Sequence, residues 1–332
     1  MSNSMFFGLD TILERFDALI EQRTSPRREV CLGLLLCLPA FCILAVFGLF
    51  PLFFAAYLSL YGGKYGTGTF VGLGNYAEAL SRRDFWNAAR VTAYYAVGTV
   101  PLTLGLAFVI ADRLRRIRRF QLPLRLAYFL PWVTSAVAAA MVWRSLFHPE
   151  LGIVNALLQT FHLSPQRWLM EPRGILHLLS GGYISPGVGP SLALCCIMLF
   201  DVWHGLGFTV VILLAAFSTL PRELEEAALL DGAEGWRRTW HITLPLLSPT
   251  LFFLGVVGVL RALQAFNSFF TLTQGSDRAL GTAENLVLYL YAQFYEYGFW
   301  GYGAAVATLL SAAIMTLTVL QWYTVQRWVH YE

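Results

Sequence analysis

The 332-residue chain is poor in charge: Asp, Glu, Lys and Arg make up 13% of it, against 57% hydrophobic residues and a mean hydropathy of +0.58. So few charges cannot clothe a soluble globule of this size, and the composition belongs in a bilayer. The formal net charge is only +3, which implies neither nucleic acid nor a strongly acidic partner. No G-x-x-x-x-G-K-[ST] occurs, so the chain has no P-loop in which to cradle nucleotide phosphates. It also lacks a G-x-S-x-G elbow and an H-E-x-x-H pair, while His148, His162, His177, His241 and His330 are scattered. Cys31, Cys37, Cys42, Cys195 and Cys196 all lie in apolar runs, with no C-x-x-C spacing. They read as small buried hydrophobes rather than as a disulfide framework or metal site. An enzyme finds little support.

What the chain has instead is long apolar runs. A crossing needs about twenty mostly apolar residues, and six runs qualify: 31–61, 92–111, 126–147, 191–217, 250–271 and 301–323. The expected fold class is all-α, a polytopic membrane protein with six transmembrane helices. The first run is too long for one perpendicular helix, so a tilt or a break near Pro39 is expected. Arginine sets the orientation. The short 112–125 loop is crowded with it (Arg113, Arg115, Arg116, Arg118, Arg119 and Arg125), whereas the loops on either side are longer and sparse. By the positive-inside rule both termini and residues 221–245 face the cytoplasm.

Outside the spans, Phe6, Leu9, Leu13, Phe16 and Ile20 recur at helical spacing and predict an amphipathic N-terminal segment over 1–29. Its polar face is more acidic than basic, which favours packing on protein over anionic lipid, with a loosely ordered tail as the alternative. A secretory signal is not indicated, since the extreme N-terminus lacks basic residues. Residues 148–190 form the longest outer segment, and the Gly- and Pro-rich stretch 181–190 is expected to be non-helical. Ile175 to Leu179 is too short to cross; interfacial contact and a passive loop are both open.

Charge inside a span costs roughly 2.5–3.5 kcal/mol at the helix centre on insertion scales, so each intramembrane charge asks for a cavity or a partner. Arg261, Gln264 and Ser268 share one helical face, and Gln264, Asn267 and Thr271 form an adjoining stripe. Asp201 and His204 stand three apart on the fourth span and can reach one another or Arg261. Such donors and acceptors suit a wall lining the path of a hydroxylated solute, with Phe266 and Phe270 available for the apolar face of a sugar. They equally suit hydrogen bonds that glue helices together.

The most informative polar stretch is 221–245, which lies between two strongly apolar runs. Pro221 suits a first helical turn, Glu223, Glu225 and Glu226 suit a helix N-terminus, and Gly232 suits a turn. A second helical piece is expected from about Gly235 to Ile242, with Pro245 discouraging its continuation. Within it, Glu226-Ala227-Ala228, three residues, Gly232, nine residues, Ile242, one residue and Leu244-Pro245 resemble the EAA signature of ABC-transporter membrane subunits at every fixed position. The Asp231-Gly232-Ala233 context is similar to that of the binding-protein-dependent carbohydrate importers of the maltose type. The motifs Val71-Gly72-Leu73-Gly74-Asn75-Tyr76, Phe129-Leu130-Pro131-Trp132, Asp201-Val202-Trp203 and Ala283-Glu284-Asn285-Leu286 follow in family order. The resemblance runs from about residue 30 to the C-terminus.

That resemblance implies a six-helix permease domain over 30–332 whose 221–245 loop docks as a coupling helix in a cleft of a separate ATPase. Glu226 would stand at the contact, Gly232 would shape the turn, Ala227 and Ala228 would permit close approach, and Leu244-Pro245 would end the element. The family often has an acidic residue where Asn267 stands, so no role carries over to that position. The implied partners are an ABC ATPase dimer, a second related permease subunit (a heterodimer, with a homodimer as the alternative), an extracytoplasmic solute-binding protein and a sugar-like solute. ATP would bind the partner and not this chain. The implied location is the bacterial cytoplasmic (inner) membrane. Two rivals stand beside this reading: a gradient-driven secondary transporter, although no internal repeat is seen, and a membrane-embedded lipid-modifying enzyme.

Overall fold

The computed structural model describes residues 26–66, 68–117, 120–221, 223, 235–273 and 281–325. The expected amphipathic segment at residues 6–20, and Glu226, Ala227, Ala228, Asp231 and Gly232, lie outside these. The chain divides after Tyr57 into two compact units. Among the described residues the structure is helical, with two isolated β-bridges, Tyr61 to Phe70 and Gly174 to Ser191.

The first unit holds most of helix α1, Val30–Leu58, 29 residues with a mean hydropathy of 2.8 in its most apolar window. Residues 30–54 are all exposed, the condition of a helix whose solvent is hydrocarbon. Its irregularity is not at Pro39, which sits inside regular helix, but in a wide π turn at Ala45–Leu49. Pro51 accounts for this: it has no N–H for the carbonyl four residues back, and the turn before it widens so that Phe50 N–H reaches Ala45 O.

In the second unit, Gly74–Ser81 (α2) is followed by Arg83–Arg116 (α3), a 34-residue helix with Asp84 in its first turn and Arg113, Arg115 and Arg116 in its last. Those charges complement the helix dipole at both ends. Asn75 on α2 donates to Ser59 O (2.8 Å) and Tyr61 O (2.9 Å), fastening the incoming chain. Run 126–147 is not one straight crossing. Gln121–Val133 (α4) and Ala136–Leu146 (α5) meet at 94°. Pro131 withholds an N–H from the last turn of α4, Thr134 is extended, and Ser135 caps α5 by accepting from Ala138 N.

After the short helices Ile153–Thr160 (α6) and Ile175–Leu179 (α7) comes Leu192–Ser218 (α8), which packs along α3 and is capped by Ser191. Beyond it, Gly235–Leu246 (α9) meets Ser248–Leu263 (α10) at 73°. Helix α9 does not stop at Ile242: a π turn at Thr239–Thr243 absorbs the N–H that Pro245 lacks, and the bend falls at Leu247. Run 250–271 is also interrupted. The helix ends at Leu263, and a new one, Asn267–Thr273 (α11), starts after an interval of three residues. Asn285 holds this break open, its Nδ2 donating to Ala265 O (2.5 Å) and its Oδ1 capping Leu286–Tyr291 (α12) through Leu288 N. Trp300–Val325 (α13) closes the described chain. Among the described residues four helices are long and apolar enough to cross, or six when each bent pair is one span.

Segment 148–190 is held together by buried side-chain hydrogen bonds. Asn155, 2% exposed, donates to Pro149 O (2.7 Å) and Gln166 O (2.8 Å) and accepts from Gln166 N (3.0 Å) and Trp168 Nε1 (2.7 Å). Glu171, 4% exposed, accepts from Arg173 Nε (2.7 Å) and Nη2 (2.8 Å). Residues 181–190 contain no helix. Asn155→Ala strands four hydrogen-bonding groups and should cost on the order of 1–3 kcal/mol, read as faster proteolysis within this segment. The hydrogen bonds from Arg173 hold the Glu171 carboxyl below the usual glutamate range. Its contribution is therefore present above the unfolded value of about 4.3 and is lost as pH falls through the depressed folded value. Proteolysis of the segment should accelerate on acidification below that point, and Glu171→Gln should flatten the dependence.

Candidate functional site

Two apolar clusters are stacked along α3 and α8. One gathers Tyr95, Ile197, Phe200, Phe269 and Leu288, the other Ala107, Ala111, Leu213 and Leu254. Between them lies a cavity of about 250 Å³ whose walls carry polar groups from three stretches: Tyr95, Thr99 and Thr103; Asp201, His204 and Thr209; and Arg261, Gln264, Asn267 and Ser268. Asp201 sits nine residues into α8, which at 1.5 Å per residue is about 14 Å, near the middle of an apolar core about 30 Å thick. Of the polar residues singled out in the spans, Asp201, His204, Arg261, Gln264, Asn267 and Ser268 line this one cavity, and Thr271 does not.

They arrive differently from the expectation. Arg261, Gln264 and Ser268 do not share one continuous helical face, because the helix stops at Leu263. The break turns Gln264 and Asn267 outward while Ser268 stays buried. Asp201 and His204 do not bond to each other. Tyr95 OH donates to Asp201 Oδ2 at 2.7 Å across α3 and α8, and His204 Nε2 lies 3.4 Å from Thr134 O at the α4–α5 break. The Arg261 guanidinium stacks 4.2 Å above the Trp132 ring, a cation–π contact worth about 0.5–2 kcal/mol. Trp132 also meets Phe208 at 4.9 Å and His204 at 5.8 Å. Phe266 lines the cavity, but Phe270 packs back on Phe266 (5.2 Å) and Tyr291.

Tyr95, Thr99 and Trp132 are the residues that sequence reasoning passed over. The first two are visible as an i, i+4, i+8 polar stripe with Thr103 on an otherwise apolar span. Trp132 stands in the Phe129-Leu130-Pro131-Trp132 motif but carries no local sign of its partner. The cavity is exposed where Arg261, Gln264 and Asn267 stand and closed where Tyr95, His204 and Ser268 are buried. Among the described residues no three His, Cys, Asp or Glu side chains converge as a metal would require.

The second predicted region is partly described. Ile242 lies in the π turn of α9, and Leu244 and Pro245 form its last turn before the 73° bend into α10. Its surface shows Trp236 and Trp240, 69% and 57% exposed with rings 5.5 Å apart. The bend joins this segment to the helix bearing Arg261.

Fold and cavity together define a multi-pass helical membrane protein with a hydrogen-bonding cavity half-way through its bundle. The chain belongs to the family of binding-protein-dependent transport system inner membrane components, whose profile matches residues 29–330. It is 31% identical over 299 residues to the trehalose/maltose transport system permease protein MalF of Thermococcus litoralis, covering 88% of this chain and 93% of the relative. It is 30% identical over 305 residues to the sn-glycerol-3-phosphate transport system permease protein UgpA of Rhizobium meliloti, covering 90% and 95%. A chain of a bacterial alginate ABC transporter, crystallised with an alginate pentasaccharide-bound periplasmic protein, superposes with a TM-score of 0.75. That match has 18% identity and covers 91% of this chain and 96% of the other. The protein is therefore a multi-pass inner-membrane permease subunit of the ABC-transporter type. Family membership sets aside the gradient-driven transporter and the lipid-modifying enzyme.

The cavity depends on one close helix crossing. A Cβ on Gly207 would lie 2.1 Å from Tyr128 O, whereas one on Gly205 would meet nothing within 4 Å. Gly207→Val should therefore cost about 1–3 kcal/mol through overpacking and separate Trp132 from α8. Gly205→Val should be tolerated. Thermal unfolding of the purified variants followed by size-exclusion checks this contrast.

Proposed function

We propose that the chain is one of two membrane subunits of an ATP-driven importer for a sugar or sugar-like solute, and that the cavity between α3, α8 and α10–α11 is its share of the solute path. The observation that carries this is the exposure of Arg261, Gln264 and Asn267 at mid-bundle. Facing lipid, these groups would be strongly unfavourable; facing a water-filled passage shared with a second subunit, they are solvated and available to hydroxyl groups. A relative that transports trehalose and maltose, and another named for lactose, support the carbohydrate class. A glycerol phosphate relative keeps a phosphorylated polyol within the sugar-like range. The aromatic and hydrogen-bonding walls fit either kind of ligand.

Energy must arrive from another polypeptide, since the chain has no P-loop. The 221–245 segment is the proposed contact, reaching a separate ATPase from the cytoplasm with both termini on the same side. Glu226 meets the ATPase, Ala227 and Ala228 allow close approach, and Asp231-Gly232 turns the chain toward Ile242, Leu244 and Pro245. Movement of α9 passes through the bend at Leu247 into α10 and so reaches Arg261. One coupling segment per chain and a dimeric ATPase call for a second permease subunit, a related but different chain. A solute-binding protein outside delivers the ligand, and the two halves alternate between outward and inward openings.

Gly232→Val and Glu226→Lys should leave membrane insertion intact while abolishing uptake in reconstituted vesicles and weakening ATPase co-purification; wild-type uptake by both would refute the contact. Arg261→Ala and Gln264→Ala should instead retain the ATPase but lower uptake by about tenfold or more, as expected for loss of charged or buried hydrogen bonds. Unchanged uptake would remove the cavity from the solute path.

A further inference from the structure

A second cavity, of about 580 Å³, opens where the spans α3 and α8 both end. Four arginines from three elements surround it: Arg115 and Arg116 on the last turn of α3, Arg125 on α4 and Arg238 on α9. Among the described residues, Asp112 answers two of them. Asp112 accepts from Arg115 Nε (3.0 Å) and from Arg116 Nη2 (2.6 Å). Arg115 also lies over the Phe217 ring at 4.6 Å. Arg238 Nε is buried without a hydrogen-bond partner.

Guanidinium groups stay protonated, so the positive charge of Arg116, Arg125 and Arg238 cannot be relieved by losing protons. A buried donor without an acceptor is costly, and an anion entering the cavity would supply one. Planar guanidinium forks match the oxygens of a phosphate, which can accept from several at once. Leu214, Phe217 and Leu220 line the same space, with Gln121 and Ser218 completing the wall. A cavity that sets four arginines beside Leu214, Phe217 and Leu220, at the boundary where two spans end, fits an amphiphile better than a free ion.

The geometry points to a binding site for the phosphodiester headgroup of an anionic phospholipid, with the phosphate among Arg116, Arg125 and Arg238 and the glycerol end against Leu214 and Phe217. Because Arg238 belongs to α9, the bound lipid bridges the α3–α4 turn to the segment that leads through the bend into α10. The site is separate from the solute path and rests on no assignment of the solute.

The test uses the complete assembly, delipidated in detergent and titrated with short-chain phosphatidylglycerol, short-chain phosphatidylcholine or inorganic phosphate while bound mass is read by native mass spectrometry. Phosphatidylglycerol should bind saturably to this subunit, and phosphatidylcholine at least about tenfold more weakly, since the site reads charge. Arg125→Gln combined with Arg238→Gln should abolish the preference, whereas Arg125→Lys with Arg238→Lys should retain most of it. Equal binding of the two lipids by the wild-type assembly overturns the proposal without reference to any variant. Displacement of phosphatidylglycerol by equimolar phosphate would reassign the site to a free anion and overturn the lipid. Binding only after the ATPase is removed would assign the arginines to that protein interface and overturn it equally.

Discussion

The hydrogen bond from Tyr95 to Asp201 joins two long helices at the depth where water is scarcest. In hydrocarbon a carboxylate has no solvent to fall back on, so its acceptors must be met by the protein. Tyr95 meets one oxygen at 2.7 Å from a residue 106 positions away. The partner is strongly directional, which sets the register of α3 against α8. Above and below that level the same two helices pack through apolar clusters that any comparable side chains could fill. The polar level is therefore the specific one, and the cavity stands there.

Most departures from regular helix follow from the same scarcity. Where Pro51 and Pro245 withhold an N–H, the preceding turn widens and returns the neighbouring carbonyl to a donor inside the helix. Where α10 stops at Leu263, Asn285 takes the freed carbonyl of Ala265. In segment 148–190 Asn155 performs a similar service for two carbonyls, one N–H and an indole. A bend or break in this protein is a place where a side chain or a wide turn substitutes for the regular ladder. Those substitutions let Gln264 and Asn267 leave the helix face and open outward without stranding the backbone.

The proposed function uses this arrangement mechanically. A segment on one side of the membrane runs through a 73° bend into the helix that carries Arg261, and Arg261 rests on Trp132 from the other bent pair. Both bends thus meet at the cavity. Gly207 lets α4 approach α8 so closely that a methyl group would collide with a backbone carbonyl, which holds Trp132 over the polar level. In the proposed mechanism a rigid crossing beside two angled joints converts a push at one face into a change of cavity shape.

The sequence alone determined the number and rough bounds of the apolar runs, the crowding of arginine in the 112–125 loop and the spacing of the 221–245 signature, because these are properties of composition and of positions close together in the chain. It also marked Asp201, His204, Arg261, Gln264, Asn267 and Ser268, since polar groups in apolar runs stand out whatever their partners. Only the tertiary structure decided that the six share a cavity, that Tyr95 rather than His204 takes Asp201, that Trp132 carries Arg261, and that two of the runs are bent pairs. Each of these depends on a partner distant in sequence: Asn285 for the break at Ala265, Tyr128 for the crossing at Gly207, Thr134 for His204. Periodicity reports which face of a helix is polar, but not which other chain segment will come to meet it.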